Sequence, residues 1–307
     1  MSKRTIDVLN KEKPDNMIIL ADTTSAMAGA LASAKTNQII SHVEAGLRSY
    51  DLRMLEEINR IVTGHLADYH FAPTEKTKIN LVEEGVDEDR IYVVGNTIVD
   101  SVYQNIELAD KNVNILDELS VEREKYFLVT AHRAENVDDK KTLVNILKGL
   151  KLISDKYEMP IIYPMHPRTK KMIKEFNLEI SKEIRVIEPL GYLKFLQLQA
   201  KSKMVITDSG GMQEECCILK VPCVTIRKST ERPETVDVGS NIVAGELNPE
   251  RILECVNIMY DKEKNWEQPF GDGKTAIKVL DAIEKLHWDR FIFVFYSPYG
   301  LLIIKDY

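Results

Sequence analysis

A chain of 307 residues is long for one hydrophobic core, so two domains of ordinary size are the expected partition. With 44% apolar and 29% charged residues it is neither disordered nor fibrous, and a formal net charge of −7 argues against a nucleic-acid reader or a protein held on an anionic membrane. The four cysteines, Cys216, Cys217, Cys223 and Cys255, show neither metal-ligand spacing nor the density of a disulfide scaffold, and read as reduced thiols in a cytoplasmic protein.

The opening "MSKRTIDVLNKEKPDN" reads as a lone amphipathic helix without the apolar core of a signal peptide, and no run is long enough to span a bilayer. From there, apolar runs of strand length alternate with helical stretches. "MIIL", "QIISHV", "YHFAP" and "IYVVG" read as buried strands, with helices over "SAMAGALASAK" and "LEEINRIVTGHLA". A charged connector is expected from Gln104 to Lys125, after which the rhythm restarts with "YFLVTA", "IIYPM", "IRVIE", "MVITD", "CVTIR" and "NIVAG". This βα alternation predicts parallel sheets in two α/β domains, residues 1–105 and 106–286, with a cleft between them. At most five strands precede the connector, and the strand and phosphate-facing turn that normally open a doubly wound half are absent. Residues 287–307 form a β-prone, aromatic-rich tail to which no function is assigned.

Polar residues just beyond strand ends carry the most weight, because ligands of open α/β sheets bind there. Asp22 follows "MIIL" and reads either as a helix N-cap or as a carboxylate projecting into the cleft. Glu44 and Arg48 follow "QIISHV", with Gly46 permitting a turn that other residues resist; a surface ion pair is the alternative. Glu56 and Glu57 stand four and three residues before Arg60, which also suits exposed helix pairs. His132 and Arg133 end "YFLVTA", where both could meet phosphate oxygens or serve structurally. The strongest local signal is "MVITDSGGMQEECCIL". A strand leads through Asp208, Ser209, Gly210 and Gly211 into a helix whose positive end favours a phosphate. It matches neither dinucleotide nor P-loop fingerprints. Glu215, one turn into that helix, could reach sugar hydroxyls; Arg232 follows another strand end, and His166 and Arg168 read as structural or rim residues.

Taken together, "ADTTSAMAGAL", "HVEAGLRS", "EEINR", "GNTIVD", "TAHRAEN", "HPRTK", "TDSGGMQEE", "VPCVTIR" and "ERPETV" resemble the non-hydrolysing UDP-N-acetylglucosamine 2-epimerases of archaeal and bacterial type, in family order from Asp15 to Lys274. The resemblance implies two Rossmann-like domains in a glycosyltransferase-B-like arrangement, and interconversion of UDP-N-acetylglucosamine and UDP-N-acetylmannosamine. The implied route eliminates UDP from C1 as C2 loses its proton, giving 2-acetamidoglucal, and then adds UDP back. By resemblance Asp22, Glu44, Glu56 and Arg60 match the catalytic carboxylates and arginine, and His132 the catalytic or phosphate-contacting histidine. Ser209, Gly210 and Gly211 match the diphosphate holders, Glu215 a ribose contact, Arg232 another UDP contact and Phe195 a residue near uracil. No metal or nicotinamide is implied, no nucleic-acid or membrane partner, and the implied assembly is a homodimer. Three departures bear on this. The family's opening strand with its Gly-Thr-Arg-Pro-Glu turn is lacking, so the first domain is expected to be truncated. Leu55 stands where proline is usual, with a shifted helix start expected, and the ending after Leu286 is atypical. A UDP-sugar glycosyltransferase and a UDP-binding remnant without turnover are the alternatives.

Overall fold

The computed structural model describes residues 2–286, 292–297 and 300–305, with side chains from residue 5 to 286. By contact the chain divides into two units, one from Met1 to Asp100 joined by Phe270 onward, the other from Ser101 to Pro269.

The first unit contains α1 (Ser2–Glu12), β1 (Asn16–Leu20), α2 (Thr24–Lys35), β2 (Ile39–Val43), α3 (Leu55–Leu66), β3 (Tyr69–Ala72), α4 (Glu75–Glu83), β4 (Ile91–Val93) and the start of α5 (Thr97–Asn112). Its strands form a parallel sheet in the order β1-β2-β3-β4. Strands β1 to β3 are buried almost throughout, as parallel strands between helices require, while at the sheet edge Val93 of β4 is exposed. Helix α2 starts where the Thr23 hydroxyl accepts the Ala26 N–H, and its alanines and Gly29 let it lie close to β1, with Ile19 Cδ1 3.7 Å from where a Cβ on Gly29 would be.

The second unit holds the rest of α5, then α6 (Ile115–Leu119), β5 (Phe127–Thr130), α7 (Ala134–Val137), α8 (Lys140–Tyr157), β6 (Ile161–Pro164), α9 (Pro167–Glu175), β7 (Ile184–Ile187), α10 (Tyr192–Ala200), β8 (Met204–Thr207), α11 (Gly210–Ile218), β9 (Cys223–Thr225), α12 (Pro233–Asp237), β10 (Asn241–Val243) and α13 (Pro249–Tyr260). All six predicted strands are present, parallel, in the order β7-β6-β5-β8-β9-β10. That is the doubly wound order, and it places the reversal of winding between β5 and β8.

Two expectations change. The segment read as a charged connector is largely helical: α5 runs to Asn112, and Ile115 and Leu119 of α6 enter the second unit's core, with the charges left on solvent faces. Residues 270–286, expected in the C-terminal domain, belong to the first unit. There α14 (Thr275–Lys285) packs Val279 and Ile283 against Ile18, Val43, Phe71 and Val94. The "GNTIVD" motif anchors this return. Asn96 N–H donates to the Phe270 carbonyl at 2.8 Å, and the Asp100 carboxylate accepts the Thr275 and Ala276 N–H groups at 3.1 Å each, a negative charge on the positive end of α14. Gly95 (φ +97°) is obligatory, since a Cβ would sit 2.8 Å from Thr275 Oγ1 and 2.9 Å from the Phe270 carbonyl. In the tail, β11 (Ile292–Ser297) and β12 (Gly300–Lys305) pair antiparallel. Residues 287–291, 298–299 and 306–307 of that tail lie outside the described residues.

Candidate active site

In the first unit, β1 and β2 end side by side, with Leu20 opposite Val43. The next residues, Ala21 (φ +62°) and Glu44 (φ +67°), both take the left-handed conformation that non-glycine residues avoid. Such strain persists only where the surroundings over-determine it, and they do here. Ala21 N–H donates to the Val43 carbonyl (3.1 Å), His42 Nε2 lies 3.2 Å from the Ala21 carbonyl, and Asn59 Nδ2 donates to the Asp22 carbonyl (2.8 Å).

The Asp22 side chain does not cap α2, since Thr23 does that. Its Oδ2 instead meets Arg60 Nη2 at 2.5 Å. Arg60, 3% exposed, also donates through Nη1 to Glu57 Oε2 at 2.9 Å. Glu57 in turn accepts the N–H groups of Ser49 (2.9 Å) and Tyr50 (2.8 Å), tying the loop after Glu44 to α3. Burial pushes the Glu57 carboxyl up, but these N–H donors and Arg60 outweigh it and hold the pKa below the usual carboxylate range. The pairing is therefore buried and structural, not an exposed helix pair. It engages Glu57, whereas Glu56 is half-buried in the same first turn.

Arg48 clamps Glu84 with two bonds of 2.6 Å and donates to the Leu47 carbonyl. Gly46 (φ +84°) admits no side chain, since a Cβ would lie 2.2 Å from the Thr77 carbonyl. Helix α3 begins at Leu55 itself, 71% exposed, so the missing proline leaves both glutamates in the first turn.

In the second unit the winding reversal gathers the ends of β5 and β8. His132 follows β5 and Asp208 follows β8. Asp208 is fully buried. Its Oδ2 accepts the N–H groups of His132 and Arg133 at 2.9 Å each and the Asn136 amide at 3.1 Å, and its Oδ1 lies 3.0 Å from His132 Nδ1. Burial would raise the Asp208 pKa, but His132 and the two N–H donors hold it below the ordinary value.

Ser209 is the N-cap of α11 and makes no capping bond, so the N–H groups of the first turn have no capping side chain. Gly210 accommodates Glu231, whose Oε1 would be 2.3 Å from a Cβ there. Glu231 bonds Arg227 (2.7 Å) and approaches Arg133 (3.6 Å), so two cations stand beside the helix end. A cavity of about 210 Å³ opens here, lined by His132, His166, Leu190, Phe195, Ser209 and Met212 among others. His166 caps α9 by accepting the Arg168 N–H, and Arg168 pairs with Asp138 on the surface.

In the body of α11, Glu215 is 9% exposed and burial raises its pKa to about 7, resisted by the Tyr192 hydroxyl that donates to it at 3.3 Å. Arg232 is 6% exposed, with Nε 2.8 Å from Glu214.

Within the first unit the structure thus brings Asp22 and Arg60 into contact and sets Glu44 on the adjoining strand end. Within the second it gathers His132, Phe195 and Ser209 around one cavity, with Gly210 and Gly211 opening α11. Glu56 meets neither Arg60 nor Asp22. Three residues to which the sequence reading gave no role are built into these sites: Asp208, Glu57 and His42. For Glu57 the i,i+3 spacing to Arg60 was the available signal; a buried carboxylate against a histidine seventy-six positions away leaves none.

The sequence matches the family model described as UDP-N-acetylglucosamine 2-epimerase over residues 1–284. A UDP-N-acetylglucosamine 2-epimerase of Methanocaldococcus jannaschii is 51% identical over 279 residues, which is 89% of this chain and 76% of that protein. One from Methanococcus maripaludis is 48% identical over 282 residues, 90% and 77% of the two chains. Among solved structures, the M. jannaschii enzyme in complex with UDP-GlcNAc and UDP aligns with a TM-score of 0.87 at 49% identity, covering 92% of this chain and 79% of that one. With two parallel-sheet units, the fold class is the α/β, glycosyltransferase-B-like one expected.

Proposed function

Since the chain belongs to the UDP-N-acetylglucosamine 2-epimerase family, we propose that it interconverts UDP-N-acetylglucosamine and UDP-N-acetylmannosamine by eliminating UDP and adding it back through 2-acetamidoglucal. C2 of the sugar is not adjacent to a carbonyl, so its proton is removed as the C1–O bond to UDP breaks; the electron pair forms the C1–C2 double bond and UDP leaves with its charge. Reprotonation of C2 on the opposite face and return of UDP to C1 complete the epimerisation. This needs acid/base groups for C2 and donors for the departing diphosphate.

The first unit supplies the former. Asp22, Glu44 and Glu56 are the candidate acid/base carboxylates, and Arg60, with both terminal nitrogens engaged by Asp22 and Glu57, holds Asp22 in place. The second unit supplies the latter. His132, Ser209, Gly210 and Gly211 surround the diphosphate, Phe195 borders uracil in the cavity, Glu215 accepts from ribose hydroxyls, and Arg232 supports the UDP site. We further read the chain as a cytoplasmic homodimer; its four buried free thiols suit a reducing compartment.

The observation that carries the reading is the pair of strained strand ends that set Ala21–Asp22 beside Glu44, with Asp22 on a buried arginine. Incubation with UDP-N-acetylglucosamine in deuterated water tests it. UDP-N-acetylmannosamine and deuterium at C2 should accumulate together. UDP binding with no C2 exchange over days at high enzyme concentration would refute the assignment, and sugar transfer to an acceptor with retained C2 protium would mark a glycosyltransferase.

A further inference from the structure

We propose that Asp208 is a positioning residue for His132: it fixes the imidazole as the tautomer protonated on Nδ1 and so presents Nε2 to the ligand cavity. The two oxygens of Asp208 do different work. Oδ2 is saturated by the His132 and Arg133 N–H groups and the Asn136 amide, and is a backbone anchor. Oδ1 lies 3.0 Å from His132 Nδ1.

An ionised carboxylate only accepts, and Oδ1 is buried without another hydrogen-bond donor; a hydrogen on Nδ1 is what turns this approach from a lone-pair repulsion into an attraction. The loop that carries the ring has little freedom to alter this. The Ala131 carbonyl, one residue earlier, accepts from the Tyr163 hydroxyl (2.9 Å) and the Thr169 hydroxyl (2.6 Å), while Asn136 Nδ2 also donates to the Ile226 carbonyl (3.0 Å). Asp208 is fully buried whereas the His132 side chain is 42% exposed, so the ring's inner nitrogen is committed to protein and its outer edge borders the cavity. A group that must stabilise a departing diphosphate gains from being held in one orientation before the charge develops.

The consequence for turnover rests on the epimerase reading; the tautomer assignment does not. Asp208→Asn separates the two roles. The amide oxygen replaces Oδ2 and preserves the anchor, while the amide nitrogen faces Nδ1, where two donors would oppose, driving the proton to Nε2. Two-bond 15N–1H correlation spectra of histidine-labelled protein, with His132 assigned through His132→Gln, should show Nδ1 protonated in the wild type and Nε2–H in D208N. C2 exchange should fall about 10²–10⁴-fold in D208N, with UDP affinity by calorimetry changed by less than about tenfold. Asn136→Ala, which removes an Oδ2 donor and the bond to the Ile226 carbonyl but leaves Oδ1 facing Nδ1, should leave the tautomer as it is in the wild type.

A wild-type His132 protonated on Nε2 alone would overturn the proposal, as would a folded D208N with an unchanged ring or unchanged exchange in an active enzyme. Should D208N not fold, the wild-type spectrum decides alone. A wild type without any C2 exchange but with the Nδ1–H signature would refute the activity and leave the positioning intact.

Discussion

His42 and His70 stand opposite each other on β2 and β3, each 1% exposed, and acidification should destabilise the fold through them. Burial, first among the causes, lowers the His42 pKa from 6.5 to about 4, with Arg48 and Arg60 adding to it; burial likewise lowers that of His70 to about 3, helped by His42 and Arg90. The sign follows from linkage. Between these values and 6.5 the unfolded chain binds protons that the folded chain refuses, so stability is intact above 6.5 and falls with pH below it. From pH 7 to pH 5 each group removes about 2 kcal/mol, a result that depends only on the folded values lying below 5. Two such losses are comparable with the ~5–15 kcal/mol total stability of a typical domain. Other groups titrate in this window, so the assay is a difference: urea unfolding of wild type and His70→Gln followed by circular dichroism across the range. The wild type should lose about 2 kcal/mol more than the variant between the two pH values. Parallel curves for the two proteins would mean that His70 protonates normally in the sheet, and the burial argument would be wrong.

Glu56→Gln should abolish most C2 exchange with little change in unfolding free energy, whereas Glu57→Gln, which weakens a buried pair, should cost about 3 kcal/mol in urea; the reverse pattern would exchange their roles. Glu215 has the opposite linkage to the histidines. Its folded pKa is raised from 4.5 to about 7, so stability is lost as pH climbs through that interval and stays low above it. Glu215→Gln should therefore unfold at higher urea than wild type at pH 8, by up to about 3 kcal/mol, while losing UDP affinity by calorimetry. Gly46→Ala, with φ +84° and a 2.2 Å collision with the Thr77 carbonyl, should cost at least about 2 kcal/mol and displace the loop that Glu57 binds. A thermal melt unchanged by that substitution would contradict the loop geometry.

The strands and their parallel pairing follow from residue order, because apolar runs such as "MIIL" and "MVIT" separated by helical stretches allow little else. The "DSGG" turn is likewise legible, since a strand, two glycines and a helix are contiguous in the chain. Choosing between Glu56 and Glu57 is another matter: adjacent helix residues differ by about 100° of azimuth, and only the packing of α3 decides that Glu57, Asn59 and Arg60 face inward. The bland reading of Asp22 as a cap fails for the same reason, as Thr23 competes for the N–H groups and Arg60 for the carboxylate.

Residue order by itself determined the α/β class, the strand-end placement of the polar groups and the glycines that permit Gly46 and Gly210 their close contacts. Tertiary structure alone decided that the helix at Thr275–Lys285 returns to the first unit, that Arg48 answers Glu84, and that Asp208 addresses His132 seventy-six residues away. The physical reason is range. Turn geometry and burial periodicity act over a few neighbouring residues, whereas a desolvated charge takes whichever opposite group or N–H the packed strands bring within 3 Å, and no spacing in the chain encodes that meeting.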